Sequence, residues 1–157
     1  MTWDGADNVI GWASEKAFLV LYGDSYLECD YGAITRAFLA SPSPVLLTVF
    51  RNDDRWDRSN VLCLDGQIVQ YSKNAHRTAD MRHIDYGLAV MRAETLLAYP
   101  DGEALALDRV YEDLVARDAL TAYEVSSRFY EIGTPSGLAD TRRHLDQVRS
   151  AKRDSAR

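Results

Sequence analysis

Two continuous apolar runs, Ala17-Phe-Leu-Val-Leu-Tyr22 and Val45-Leu-Leu-Thr-Val-Phe50, constrain this chain more than any other feature. Each is too short for a buried helix and lacks polar alternation, the pattern of a strand covered on both faces. The first run stops at Gly23-Asp24. Between the two, Ile34, Phe38 and Leu39 fall at helical spacing, and Ser41-Pro-Ser-Pro44 ends that helix. Strand, helix and strand in succession predict an α/β sheet, with Ala17–Tyr22 a central strand buried on both faces and Val45–Phe50 a second buried strand.

Further along, Val61–Leu64 and Gln67–Tyr71 flank Asp65-Gly66, a dipeptide suited to a two-residue turn with positive φ, so they read as a hairpin. Ile84–Met91 reads as another strand, followed by helices near Ala93–Tyr99 and Leu107–Arg117. Tyr123–Ile132 alternates enough to be one further strand. Thr134 can cap a final helix, with Pro135 preorganised at its first position and Leu138, Leu145 and Val148 as its apolar stripe. The hairpin makes the expected sheet a mixed one. Residues 1–17 read as a leader, 18–147 as the domain, and 148–157 as a basic tail.

A length of 157 residues fits one domain, and 18 Lys plus Arg against 24 Asp plus Glu give a net charge of −6. That balance disfavours a nucleic-acid coat or a polybasic membrane binder. The six basic residues of 142–157 read as a solvated helix face and tail. Cys29 and Cys63 have neither metal-ligand spacing nor the density of a disulfide scaffold, and read as ordinary buried thiols in a reducing compartment. No apolar run approaches the ~18 residues of a membrane span, and the N-terminus is acidic where a signal peptide is basic. A cytoplasmic protein is expected by elimination.

Open α/β sheets bind ligands beyond the carboxyl ends of their strands. Asp24 stands there after the first apolar run, and Glu131 stands near the end of a later strand. Two carboxylates converging at one sheet edge could hold Mg²⁺, which takes one or two carboxylates plus substrate phosphates. The plainer reading, which spacing alone favours, is that Asp24 caps the next helix and Glu131 is merely exposed. Lys73, one of three lysines, ends a strand among polar residues. It is either a point charge for a phosphate or, as is commoner, a solvated strand terminus. Asp85 sits inside an otherwise apolar strand, pointing to a bulge or ligand contact with Gly87 allowing close approach. Alternation also permits a solvent-facing Asp85.

Four blocks in order carry a resemblance: Phe18-Leu-Val-Leu-Tyr-Gly-Asp-Ser25, Ile68-Val-Gln-Tyr-Ser-Lys73, His83-Ile-Asp-Tyr-Gly-Leu88 and Arg128-Phe-Tyr-Glu-Ile-Gly-Thr-Pro135. They resemble the central and C-terminal blocks of sugar-1-phosphate nucleotidyltransferases. The nearest branch is that of heptose- or hexose-1-phosphate guanylyltransferases, which the Trp56-Asp57 and Ser59-Asn60 segment also fits. The resemblance implies a Rossmann-like α/β mixed sheet and a Mg²⁺-dependent joining of a sugar 1-phosphate to a nucleoside triphosphate, releasing pyrophosphate. It implies Asp24 as metal-binding aspartate and Glu131 as the second acidic position, where many members carry Asp. It implies Lys73 as the sugar-phosphate lysine, and Asp85, Tyr86 and Gly87, with Asn60, as the sugar pocket.

The family's glycine-rich loop of the form G-x-G-T-R-L, whose backbone N–H groups cradle the triphosphate, has no counterpart here. Gly5, Gly11, Gly23 and Gly32 are too far apart. The expectation is therefore an N-terminally truncated domain with exposed sheet edges, which self-associates into a homo-oligomer or pairs with a separate N-terminal partner chain. A non-catalytic sugar-phosphate-binding or partner-binding fragment is the main alternative. A more distant one is a GDS-type esterase. Gly23-Asp-Ser25 resembles its nucleophile block, and Asp80-Met-Arg-His83 has its D-x-x-H spacing, making Ser25 nucleophile and His83 base.

Overall fold

In the computed structural model, residues 16–73, 77–100 and 104–154 are described, so nearly all of the leader expected over 1–17 lies outside the described residues. The second apolar run forms β3 (Val45–Arg51), and Val45 to Phe50 are all buried. It runs antiparallel to β6 (His83–Arg92) on one side and parallel to β7 (Leu120–Val125) on the other. Its side chains alternate between two apolar layers, which is why the run shows no polar alternation. Val45, Leu47 and Val49 pack with Val110, Tyr111 and Leu114 of α2 (Leu107–Val115), and Leu46 and Phe50 with Ile34 and Phe38 of α1 (Tyr31–Ala40).

The first apolar run forms β1 (Ala17–Leu21), but at the edge of the sheet and not its centre. Phe18, Val20 and Tyr22 pack on one layer and Ala17, Leu19 and Leu21 on the other, but within β1 Val20 alone is buried and its neighbours are half-buried, short of the two-faced burial expected. Among the described residues β1 pairs only with β6. An apolar run reports covered faces and carries no information about hydrogen-bonded neighbours. With β4 (Val61–Leu64) and β5 (Gln67–Tyr71), the six-stranded sheet has the order β1-β6-β3-β7-β5-β4.

Asp65 and Gly66 turn the β4–β5 hairpin with φ of 50° and 78°, the left-handed pair a type I′ turn needs. The strand expected over Tyr123–Ile132 is two strands in two sheets. β7 ends at Val125, and β8 (Phe129–Glu131) leaves to pair with β2 (Ser25–Leu27). Alternation ran through the break because periodicity does not register a change of partner. The helix expected near Ala93–Tyr99 is a 3-10 turn over Ala93–Ala98. Of the three residues at helical spacing, Ile34 and Phe38 are buried and Leu39 is 67% exposed.

Thr134 and Pro135 open α3 (Pro135–Asp154) as expected, the Thr134 Oγ1 accepting the Gly137 N–H at 3.0 Å. Residues 148–154 continue that helix. Its stripe is poorly covered: Leu138 and Val148 are half-buried and Leu145 is exposed, while Thr141 is buried. Among the described residues no helix is long and apolar enough to cross a membrane.

Candidate active site

Three local events bring side chains into one cleft of about 690 Å³, within the ~300–1,000 Å³ usual for small-molecule sites. The first is the turn after β1. The Ser25 N–H donates to Tyr22 O at 3.1 Å, and β2 then pairs with β8 so that Ser25 faces Glu131. The Ile132 N–H donates to the Asp24 carbonyl at 2.9 Å. Asp24 Oδ2 and Glu131 Oε2 lie 2.9 and 3.3 Å from the point a Cβ on Gly133 would occupy. The two carboxylates therefore share one small space, which glycine leaves open.

Glu131 is also held in place. Its carboxylate accepts the Thr134 N–H at 3.0 Å and the Thr134 hydroxyl at 2.6 Å. A side chain at Gly137 would collide with it. Both plainer readings of the pair thus fail. Asp30, and not Asp24, caps α1, accepting the Ala33 N–H at 2.8 Å, and Glu131 is half-buried and hydrogen-bonded.

The second event is an irregularity in β6. Val49 pairs with Asp85 and Leu47 with Ala89, so β6 carries extra residues, and Gly87 takes a φ of 89°. A Cβ at Gly87 would stand 3.1 Å from both the Tyr22 ring and Ser25 Oγ, a close approach that with its positive φ requires glycine. Asp85 does not face solvent. Its Oδ2 accepts the hydroxyls of Tyr22 at 2.6 Å and Tyr71 at 3.0 Å, and its Oδ1 accepts the Gly87 N–H at 2.9 Å. Burial first, then the Asp85 charge, pushes both phenols well above their ordinary range. Asn60 is buried, and its Oδ1 accepts the Asp85 N–H at 2.9 Å. Tyr86 is buried against Phe129 with ring centroids 6.4 Å apart.

The third event is the exit from β5. Lys73, half-buried two residues past the strand, places its ammonium 4.6 Å from the centroid of the Tyr22 ring. It makes no ion pair among the described residues. All seven residues singled out from the sequence (Asp24, Asn60, Lys73, Asp85, Tyr86, Gly87 and Glu131) line the cleft.

Sequence reasoning missed Tyr22, Arg77, Arg128 and Asp140, which also line it, and gave Trp56 no role. Arg128 stood inside a quoted block, but nothing local marked it. Its guanidinium stacks on Trp56, and its Nη2 donates to Asp140 Oδ2 at 3.0 Å. That hydrogen bond first, and Arg143 second among the attractive groups, holds the Asp140 carboxyl below its ordinary range. The esterase constellation is not assembled. Ser25 lines the cleft, whereas His83 does not, and its Nε2 lies 3.3 Å from Glu124 Oε2.

Among the described residues no group of three or more His, Cys, Asp or Glu is placed to hold a metal. A carboxylate pair around open space does fit Mg²⁺, which completes its shell with waters and substrate phosphates. It does not fit a closed zinc site.

No protein-family model matches the sequence, and no curated protein matches it. Solved structures do. A protein assigned as a glucose-1-phosphate thymidylyltransferase, from Bacillus anthracis, is 14% identical with a TM-score of 0.68, the match covering 80% of this chain and 53% of that one. The inositol-1-phosphate CTP transferase of T. maritima is 20% identical, with a TM-score of 0.62 and the same coverage. A UDP-glucose pyrophosphorylase from Acinetobacter baumanii is 15% identical, with a TM-score of 0.65, covering 81% and 50%. The chain thus has a mixed-sheet α/β fold similar to that of nucleotidyltransferase structures, and it spans about half the length of the structures it matches.

Proposed function

We propose that this chain carries the sugar-phosphate and metal side of a sugar-1-phosphate nucleotidyltransferase. The observation that carries the reading is the meeting of Asp24 and Glu131 in one open space, on the same cleft as Lys73. The names of the similar structures support it, two of them naming a 1-phosphate, as do the four sequence blocks, which point to the heptose- or hexose-1-phosphate guanylyltransferase branch. Cys29 and Cys63, half-buried where burial was expected, are free thiols, which accords with the proposed cytoplasmic setting. Pairing with a second copy or a separate chain that supplies the triphosphate cradle belongs to the same proposal.

In this reading Asp24 and Glu131 hold Mg²⁺, which when bound offsets negative charge on phosphate oxygens. Lys73 neutralises the sugar phosphate, and its seat over the Tyr22 ring fixes where that charge lies. Gly87, whose missing side chain makes room for Tyr22 and Ser25, forms part of the sugar wall, and the Asp85–Tyr22–Tyr71 cluster keeps that wall rigid. A sugar phosphate oxygen so held attacks the α-phosphorus of a nucleoside triphosphate. The new P–O bond forms as the bond to pyrophosphate breaks, and pyrophosphate leaves.

Calorimetry with sugar 1-phosphates, with and without Mg²⁺, tests the reading. Binding that weakens about tenfold or more in Lys73→Ala supports it, and no binding of any sugar 1-phosphate refutes it. Pyrophosphate formation on adding nucleoside triphosphates marks an enzyme, and binding without it marks a binding module.

A further inference from the structure

Asp24, Glu131 and Lys73 leave three cations of the cleft, Arg58, Arg77 and Arg128, without a task. Arg128 is the most constrained. Its guanidinium carbon lies 3.5 Å from the centroid of Trp56 and 4.7 Å from that of Tyr130. Tyr130 in turn stacks on His144 of α3, at 4.1 Å with the planes 14° apart. Asp140 takes Nη2, Nε is buried without an acceptor, and Nη1 makes no hydrogen bond among the described residues. A guanidinium that served only to tie β8 to α3 would need Asp140 and no place on the cleft wall.

Trp56, 48% exposed, is held through its backbone. It stands on the loop 52–60, whose Asn52 is fully buried and accepts the Trp56 N–H on Oδ1 at 3.2 Å. The Asn52 amide donates to the Asp57 carbonyl at 2.5 Å, and Asp54 Oδ1 accepts the Ser59 N–H at 2.6 Å. Asp53 and Asp54 take left-handed φ values of 46° and 58°, strain that a loop sustains when its neighbours over-determine it. This loop presents Trp56 and Arg58 to the cleft. Arg58 is exposed and makes no ion pair among the described residues. Asp57 shares that wall, its Oδ1 turned to the Arg58 N–H at 2.6 Å. Arg77 donates Nη2 to the Lys73 carbonyl at 3.3 Å and keeps Nε and Nη1 buried without partners among the described residues.

We infer that the sugar of the substrate carries a second oxyanion, a phosphate or a carboxylate, taken by Arg128 and Arg58 beside Trp56 while Lys73 and Arg77 take the 1-phosphate. This rests on the sugar-phosphate reading of the cleft. The planar fork of arginine matches an oxyanion with two parallel hydrogen bonds. The stack on Trp56 and Tyr130 immobilises Arg128 before any ligand arrives, which removes an ordering cost from binding. A neutral sugar would leave Arg58 and the free edge of Arg128 with water alone.

The test compares the affinity of the full chain for glucose 1-phosphate, glucose 1,6-bisphosphate and glucuronic acid 1-phosphate at fixed Mg²⁺. At least one of the two ligands with a second anionic group is expected to bind about tenfold or more tighter than glucose 1-phosphate, and the one preferred identifies that group. That preference is expected to collapse in Arg58→Gln, an exposed position where folding is safe, and in Arg128→Gln. Equal affinity for all three ligands, or a preference that survives both substitutions, overturns the inference and leaves the sugar-phosphate reading standing. If none of the three binds, both fall together.

Discussion

Asp85→Ala removes the shared acceptor of three hydrogen bonds, from the hydroxyls of Tyr22 and Tyr71 and from the Gly87 N–H. Tyr71 and Gly87 are buried, so their donors have no water to turn to, whereas the Tyr22 hydroxyl, desolvated where it meets Asp85, can swing toward the cleft its residue lines once that acceptor is gone. A buried donor left without an acceptor costs about 1–3 kcal/mol. Against this, alanine relieves the burial of a carboxylate that is 9% exposed. The net loss is expected at about 3 kcal/mol, which lowers Tm in a domain of this size by about 6–12 °C. Asp85→Asn keeps an acceptor, and the two hydroxyls can turn to accept from its amide, so its cost is expected near about 1 kcal/mol. Thermal unfolding followed by circular dichroism gives both values. If Asn costs as much as Ala, charge and not the count of acceptors holds the cluster. If Ala is neutral or stabilising, the hydrogen-bond reasoning is refuted.

A Cβ at Gly137 would lie 1.6 Å from Glu131 Oε1 and 2.8 Å from the Glu131 carbonyl oxygen. Gly137→Ala is therefore expected to lower Tm and to weaken Mg²⁺-dependent binding, although alanine in a helix normally gains about 1 kcal/mol over glycine; a raised Tm with intact binding contradicts this. Burial, with the Asp85 charge behind it, raises the phenols of Tyr22, Tyr71 and Tyr111 above the ordinary value of 10.0. Unfolded tyrosines lose protons from about pH 10 upward while these keep theirs. Stability is thus full below that pH and falls above it, by up to about 1.4 kcal/mol per pH unit for each phenol. Urea unfolding from roughly pH 8 to 11 checks this, and a flat profile contradicts it.

What could be read from the sequence was what depends on neighbours along the chain. The Asp65-Gly66 turn, the Thr134-Pro135 helix start and the two-faced burial of Val45–Phe50 each follow from local backbone chemistry or from side-chain period. The misplacement of Ala17–Tyr22 at the sheet centre and the fusion of β7 with β8 share one cause. Strand partners are chosen by distant segments, and no local period records them. The same limit governs the cleft. Asp24 and Glu131 meet because β2 pairs with β8 across more than a hundred residues, and Tyr22 reaches Asp85 from 63 positions away. Isolated glycines at 87, 133 and 137 were visible, but only the assembled site shows which side chains each one makes room for. Arg128 carried no local mark at all, since its task depends on a tryptophan from another loop.

The central claim is that Asp24 and Glu131 form a divalent-cation seat beside a bound sugar phosphate. Mn²⁺ stands in for Mg²⁺ in an electron paramagnetic resonance titration of the wild type, Asp24→Asn and Glu131→Gln, each with glucose 1-phosphate present. The expected result is about one bound Mn²⁺ in the wild type, with affinity lost in both variants while circular dichroism shows them folded. Mn²⁺ that fails to bind the wild type, or that binds both variants as tightly as the wild type, contradicts the claim.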